Sequence, residues 1–202
     1  MSGRRVVVFS SAAELGPALA HLVASRADKA LLVSMLSKEL PALPDLDCSH
    51  WLAGFCDERL VPFDDGGSTY RLYKLFSKIN ISDSGVLVID PSLSVQERAD
   101  TLFLKEDISK IVAPIGDSPK PPPQRVTMTF PMVNLAHCVV FVSTGGSKAP
   151  VFSFQVLEGG EGPALPAARV VPSNGELFWL IDEPATASLT LQMERPGSAA
   201  KL

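Results

Sequence analysis

Long hydrophobic runs are missing from this chain of 202 residues. After Arg4 and Arg5 the first apolar run is Val6-Val7-Val8-Phe9, far shorter than the core of a secretion signal or a membrane span. The expectation is a cytoplasmic protein with no membrane contact. Cysteine is scarce: Cys48, Cys56 and Cys138 form no C-x-x-C pair and no Cys/His spacing suited to a tetrahedral metal site. They read as reduced, small, mostly buried residues, and no metal is expected. A large excess of one charge is lacking too, with 18 basic against 22 acidic residues. Such a balance gives no general attraction for nucleic acid or an anionic surface, so any anionic ligand must be held by a local cluster of basic groups.

What is present is apolar mass: 46% of the residues are hydrophobic, enough to bury one sizeable core. The expectation is a single domain over residues 1–193 and a disordered tail over 194–202, small and polar in composition. The last three residues, Ala200-Lys201-Leu202, approximate a peroxisomal S-K-L address but differ from it at the first position, which leaves the cytoplasm as the main expectation.

Strand and helix signals alternate along the chain. Residues 5–9 read as a buried strand, and Ser11-Ala12-Ala13-Glu14 has capping-box spacing ahead of a face lined by Leu15, Ala18, Leu19, Leu22 and Val23. Leu31 to Leu40 has helical spacing up to Pro41, Trp51 to Cys56 reads as a strand, and Ser68 to Lys78 as a helix. Val86 to Ile89 is a further strand signal and Ser94 to Glu97 a second capping box. Strand patterns return at Arg125–Phe130, Cys138–Ser143 and Leu177–Ile181. This order predicts an α/β fold, a mostly parallel sheet flanked by helices in a Rossmann-like three-layer sandwich. Ligands of such sheets sit beyond the carboxyl ends of the strands.

Two loops invite attention there. Asp57-Glu58-Arg59 follows an apolar approach, and Arg59 could either pin a turn through its acidic neighbours or face a ligand. Residues 114–124 carry five of the 17 prolines, which excludes helix and central strand. That loop is either a linker or a rigid support for Arg125.

Four segments carry a resemblance. Phe55 to Pro62 with Ser68-Thr69-Tyr70 is similar to the D-E-R-x-V-P segment and following Ser/Asn-Tyr pair of the 6-phosphogluconolactonase family. Ile111 to Pro114 through Arg125-Val126-Thr127 resembles the vertebrate form. Thr144-Gly145-Gly146-Ser147-Lys148-Ala149 resembles the family's T-G-x-x-K-A loop, and Trp179 to Glu183 its last strand and helix start. The resemblance implies hydrolysis of 6-phospho-D-glucono-1,5-lactone in the oxidative pentose phosphate pathway by a monomer that needs no cofactor. It implies phosphate binding by Arg59, Arg125 and Lys148, with Asp57, Glu58, Ser68, Gly145 and Gly146 shaping the site. Arginine offers a fork matched to phosphate oxygens, lysine a compact charge, and glycine a close backbone approach. Read without the resemblance, Lys148 is an ordinary solvated lysine and the two glycines an ordinary turn.

The chain also departs from the family. Ala27-Asp28-Lys29-Ala30 runs directly towards Leu32 to Leu36, with neither the second strand nor the S-G-G-S loop that follows it, which implies a shortened sheet. Ala99 to Leu104 passes straight into Lys105 to Ile108, where the family carries G-x-x-x-D-G-H-x-x-S. The histidine of that segment resembles a general base that activates water. His21, His50 and His137 match no motif, so no catalytic residue is expected. Pro150 to Val156 alternates like a strand where the family continues as a helix. Two alternatives stay open: a catalytically inactive isoform that keeps an anion site, and an isomerase of the glucosamine-6-phosphate deaminase type, which the resemblance implies shares this architecture.

Overall fold

The computed structural model of the protein describes residues 3–26, 29–31, 36–69, 79–82, 85–86, 112–152, 156–159 and 165–196. Contacts divide the chain into two compact units, Met1–Leu22 with Val133–Leu202, and Val23–Met132.

The first unit is built on three parallel strands in the order β1-β8-β7: β1 (Arg4–Phe9), β7 (Cys138–Ser143) and β8 (Glu176–Asp182). Leu177 to Ile181 are all buried, as a central strand covered on both faces requires, and this is why the segment reads as an unbroken apolar run. Val6, Val8, Leu177, Trp179 and Ile181 share one cluster with Val156, Leu157 and Ala185, and Trp179 stacks on its cross-strand partner Phe141 at 4.2 Å between ring centroids. Helix α1 (Ala12–Arg26) starts where the capping signal predicts. The Ser11 Oγ accepts the Glu14 N–H at 3.4 Å, and Leu15, Leu19 and Leu22 are buried.

Two local expectations change in this unit. Pro150 to Phe152 belongs to a short helix (Ala149–Phe152) and not to a strand, because Pro150 sits in its first turn, where a missing N–H costs nothing. Residues 153–155 lie outside the described part. The tail does not become free at Glu194: its N–H donates to Val6 O and its C=O accepts from Val8 N–H, both at 2.8 Å. Arg5 and Arg195 then pair with Glu194 and Glu183 at 2.7 and 2.8 Å. Residues 197–202 lie outside the described part.

Among its described residues the second unit carries two small sheets. Strand β2 (Lys29–Leu31) pairs in parallel with β3 (Leu52–Gly54), so a short second strand exists where the sequence suggested a direct passage into helix. Three ladder positions with β3 override the helical spacing at Leu31, and the helix described after it is Leu36–Glu39. The other sheet is antiparallel: β4 (Asp57–Arg59) and β5 (Val112–Ile115) flank β6 (Arg125–Met128). The chain is therefore α/β with parallel sheets and helices, plus one antiparallel sheet that the alternation of signals did not predict. The expected elements at Tyr70–Lys78, Leu87–Ile89 and Ser94–Glu97 lie outside the described residues. No helix among the described residues is long and apolar enough to cross a membrane.

Candidate functional site

The D-E-R segment owes its geometry to antiparallel pairing. Arg59 lies directly opposite Arg125, and Asp57 opposite Thr127. Residues two apart share a face, so Asp57, Arg59 and Arg125 are presented together while Glu58 points the other way. Two guanidinium groups facing each other repel, and Asp57 relieves this diagonally: Arg125 Nη1 donates to Asp57 Oδ2 at 3.1 Å. The face keeps one uncompensated positive charge from these three groups.

The two arginines are held differently. Arg125 Nε donates to Pro122 O at 3.1 Å and Nη2 to Lys120 O at 2.8 Å, and its side chain is only 12% exposed. All three of its nitrogens are engaged, so it buckles the proline-rich loop to the sheet. This is the rigid-support alternative, with the support running from Arg125 to the loop. Arg59 Nη1 donates to Gly67 O at 3.0 Å, and the rest of its fork is not committed to the loop. Asp57 Oδ1 is buried and accepts no hydrogen bond among the described residues. A buried acceptor without a donor costs about 1–3 kcal/mol.

Glu58 is 6% exposed. Its Oε1 accepts the Arg59 and Thr69 N–H groups, each at 2.9 Å. It therefore ties the strand carrying Arg59 to the backbone at Thr69, a shaping role. Ser68 is buried beside it, its N–H donating to Asp65 O at 3.1 Å. Cys48 is also buried, and desolvation pushes its thiol up, so it offers no thiolate near neutrality. Cys56 is exposed, contrary to the expectation for all three thiols, and no disulfide forms among them.

In the first unit the parallel register aligns the carboxyl ends of β1, β8 and β7, with Phe9 opposite Asp182 and Ser143 opposite Ile181. The Thr144–Lys148 loop leaves this edge. Gly145 has φ of 87°, which favours glycine, and a Cβ on Gly146 would stand 3.3 Å from Pro184 O. Gly146–Lys148 then forms one 3-10 turn. The backbone of Lys148 is thereby placed; its side chain lies outside the described part.

One residue of this loop's surroundings was missed. Asp182, at the end of β8 and 6% exposed, accepts the Gly145 N–H on both carboxylate oxygens at 3.0 and 3.1 Å and the Ala185 N–H at 3.2 Å. The available signal was an aspartate directly before Glu183-Pro184, the composition of a helix N-terminus. Arg59 and Arg125 belong to the second unit, and Gly145, Gly146 and Lys148 to the first. His21, His50 and His137 are all exposed, and no cluster suited to a metal ion occurs among the described residues.

Residues 99–179 match a family described as glucosamine-6-phosphate isomerases/6-phosphogluconolactonase. The 6-phosphogluconolactonases of Rattus norvegicus and Homo sapiens are each 42% identical to the chain, over 94% of it and 95% of their own length. These alignments run over 247 positions, 45 more than the chain's 202 residues, so at least that many aligned positions of the relatives have no residue here. A probable 6-phosphogluconolactonase of Drosophila melanogaster is 32% identical over 75% of each chain. Among solved structures, a 6-phosphogluconolactonase from Trypanosoma cruzi superposes with a TM-score of 0.70 at 18% identity, over 95% of this chain and 99% of its own. A monomeric glucosamine-6-phosphate deaminase gives 0.74 at 14% identity, over 91% of this chain and 99% of its own. At such identities the superpositions show a shared fold.

Proposed function

Because the chain belongs to the 6-phosphogluconolactonase family, we propose that it acts on 6-phospho-D-glucono-1,5-lactone, opening the ring ester with water to give 6-phospho-D-gluconate. The observation that carries this reading is the retained D-E-R segment, folded as a charged face with a half-committed guanidinium, in a chain 42% identical to the rat and human lactonases. Arg59, Lys148 and Arg125 are the proposed phosphate ligands, Arg59 first because its fork is the less committed of the two arginines. Asp57, Glu58, Ser68, Gly145 and Gly146 shape the site. In the reaction, water oxygen bonds to the lactone carbonyl carbon, the bond from that carbon to the ring oxygen breaks, and the proton lost by water reaches the ring oxygen. We assign that proton transfer to no side chain, since the histidine-bearing segment has no counterpart here. The same reading makes the protein a cytoplasmic monomer of the oxidative pentose phosphate pathway, folded as one domain and needing no cofactor.

The test is hydrolysis of freshly made 6-phosphogluconolactone, coupled to phosphogluconate dehydrogenase, with the spontaneous rate subtracted and an Arg59→Ala control. Activity above the blank that falls in the control supports the reading. A second reading rests on the missing segment alone: an isoform that binds without turnover. It is identified by calorimetric binding of 6-phosphogluconate to a folded protein that shows no hydrolysis. Turnover of glucosamine 6-phosphate alone would overturn both.

A further inference from the structure

Asp182 has a use beyond the end of its strand. A carboxylate that only capped the following 3-10 turn would accept the Ala185 N–H and otherwise face solvent. Here it is buried, and both oxygens also receive the amide of Gly145, 37 residues away, at 3.0 and 3.1 Å. That amide belongs to the residue at φ 87°, where the chain turns out of β7 into the 3-10 turn ending at Lys148. On the other side of the same turn, Gly146 closes on the carbonyl of Pro184, leaving little room for a side chain. The loop is thus gripped from two directions by Asp182 and the turn it caps. Charge-assisted bonds to a buried carboxylate are the strong ones, and they fix the direction of the peptide they hold.

We infer that Asp182 is a positioning residue: it orients the Thr144–Lys148 loop through the Gly145 amide, and so sets where Lys148 meets the phosphate group of the ligand. The inference rests on the proposed role of Lys148, and its first half stands without it. The Gly145 amide, pointed into the protein, contributes nothing to the anion itself.

The test uses the full chain as wild type, Asp182→Asn and Asp182→Ser, each confirmed folded by circular dichroism and melting. Asparagine keeps an oxygen at the tip of the side chain for both amides. Serine is a good cap for Ala185 but its hydroxyl is too short to hold Gly145 as well, so it separates capping from loop positioning. Two readouts are taken: hydrogen exchange at the Gly145 amide by NMR, and calorimetric affinity for 6-phosphogluconate. The expected result is slow exchange in wild type and Asp182→Asn, fast exchange in Asp182→Ser, and an affinity about tenfold weaker in Asp182→Ser but within about threefold of wild type in Asp182→Asn. A merely structural role would lower the melting point and leave the affinity of the folded fraction unchanged, and that result overturns the proposal. So does wild-type Gly145 exchanging as fast as in Asp182→Ser. If wild type binds no 6-phosphogluconate, the ligand assignment fails, and exchange alone decides whether Asp182 orients the loop.

Discussion

Replacing Arg125 by alanine removes three hydrogen bonds from a side chain that is 12% exposed: those to Pro122 O, Lys120 O and Asp57. It also strips Asp57 of its only charged partner among the described residues, while its other oxygen is already buried with no donor among them. At about 1 kcal/mol for each bond to a carbonyl and somewhat more for the one to a carboxylate, the loss is about 3 kcal/mol. For a chain of this length that lowers the melting temperature by roughly 6–12 °C. Arg59→Ala removes one bond, to Gly67 O, and should lower it by only about 2–4 °C. Ligand binding should show the opposite order, with Arg59→Ala weakening 6-phosphogluconate by about tenfold or more and Arg125→Ala, measured on folded protein, by much less. Arg125→Lys should recover less than half of the lost stability, because one ammonium cannot reach three diverging acceptors. Melting followed by circular dichroism and titration by calorimetry give both quantities. An Arg125→Ala protein that melts within about 1 °C of wild type yet loses ligand affinity tenfold would refute the reasoning and make Arg125 a substrate ligand first.

Asp47 accepts the Ser49 N–H and the Asn80 side-chain amide, and these bonds, the Ser49 one foremost, pull its carboxyl from an ordinary 3.8 down to about 2. A folded value below the unfolded one means stability that is present above about pH 4 and lost as the pH falls towards 2, so the melting temperature of Asp47→Asn should vary less with pH across that window than that of wild type. Gly175→Ala should cost about 2 kcal/mol or more in urea unfolding, since its Cβ would collide with the backbone oxygens of Ala136 and His137, the second of which accepts the Glu176 N–H at the start of β8. Glu194→Ala, losing a half-exposed ion pair, should cost less than about 1 kcal/mol, whereas ending the chain at Met193 also deletes two backbone bonds and should cost about twice as much.

Strands β1 and β8 could be read directly because their own burial imprints an apolar run on the sequence, and β7 because its short branched run lies beside β8. Strand β2 could not: three residues carry too little periodicity, and only β3 decides that Lys29–Leu31 extends. Pro150 misled for a related reason, since the alternation that starts there is overruled over Ala149–Phe152 by a proline well suited to a first helical turn. At the candidate site the residues were legible through family resemblance, but their arrangement was not. Nothing local says that Arg59 and Arg125 face each other, because their pairing spans the whole segment between two antiparallel strands. Asp182 was invisible as more than a cap because its partner Gly145 lies 37 residues upstream.

The grip of Glu194 on Val6 and Val8 has a further consequence. Strand β1 lies at the outer side of its three-stranded sheet among the described residues, and its V-V-V-F run is the kind of edge that templates pairing with another chain. One residue of the tail occupies a donor and an acceptor on that edge. Loss of the tail would therefore be felt first as a fall in solubility at high concentration, with self-association setting in before the fold itself gives way.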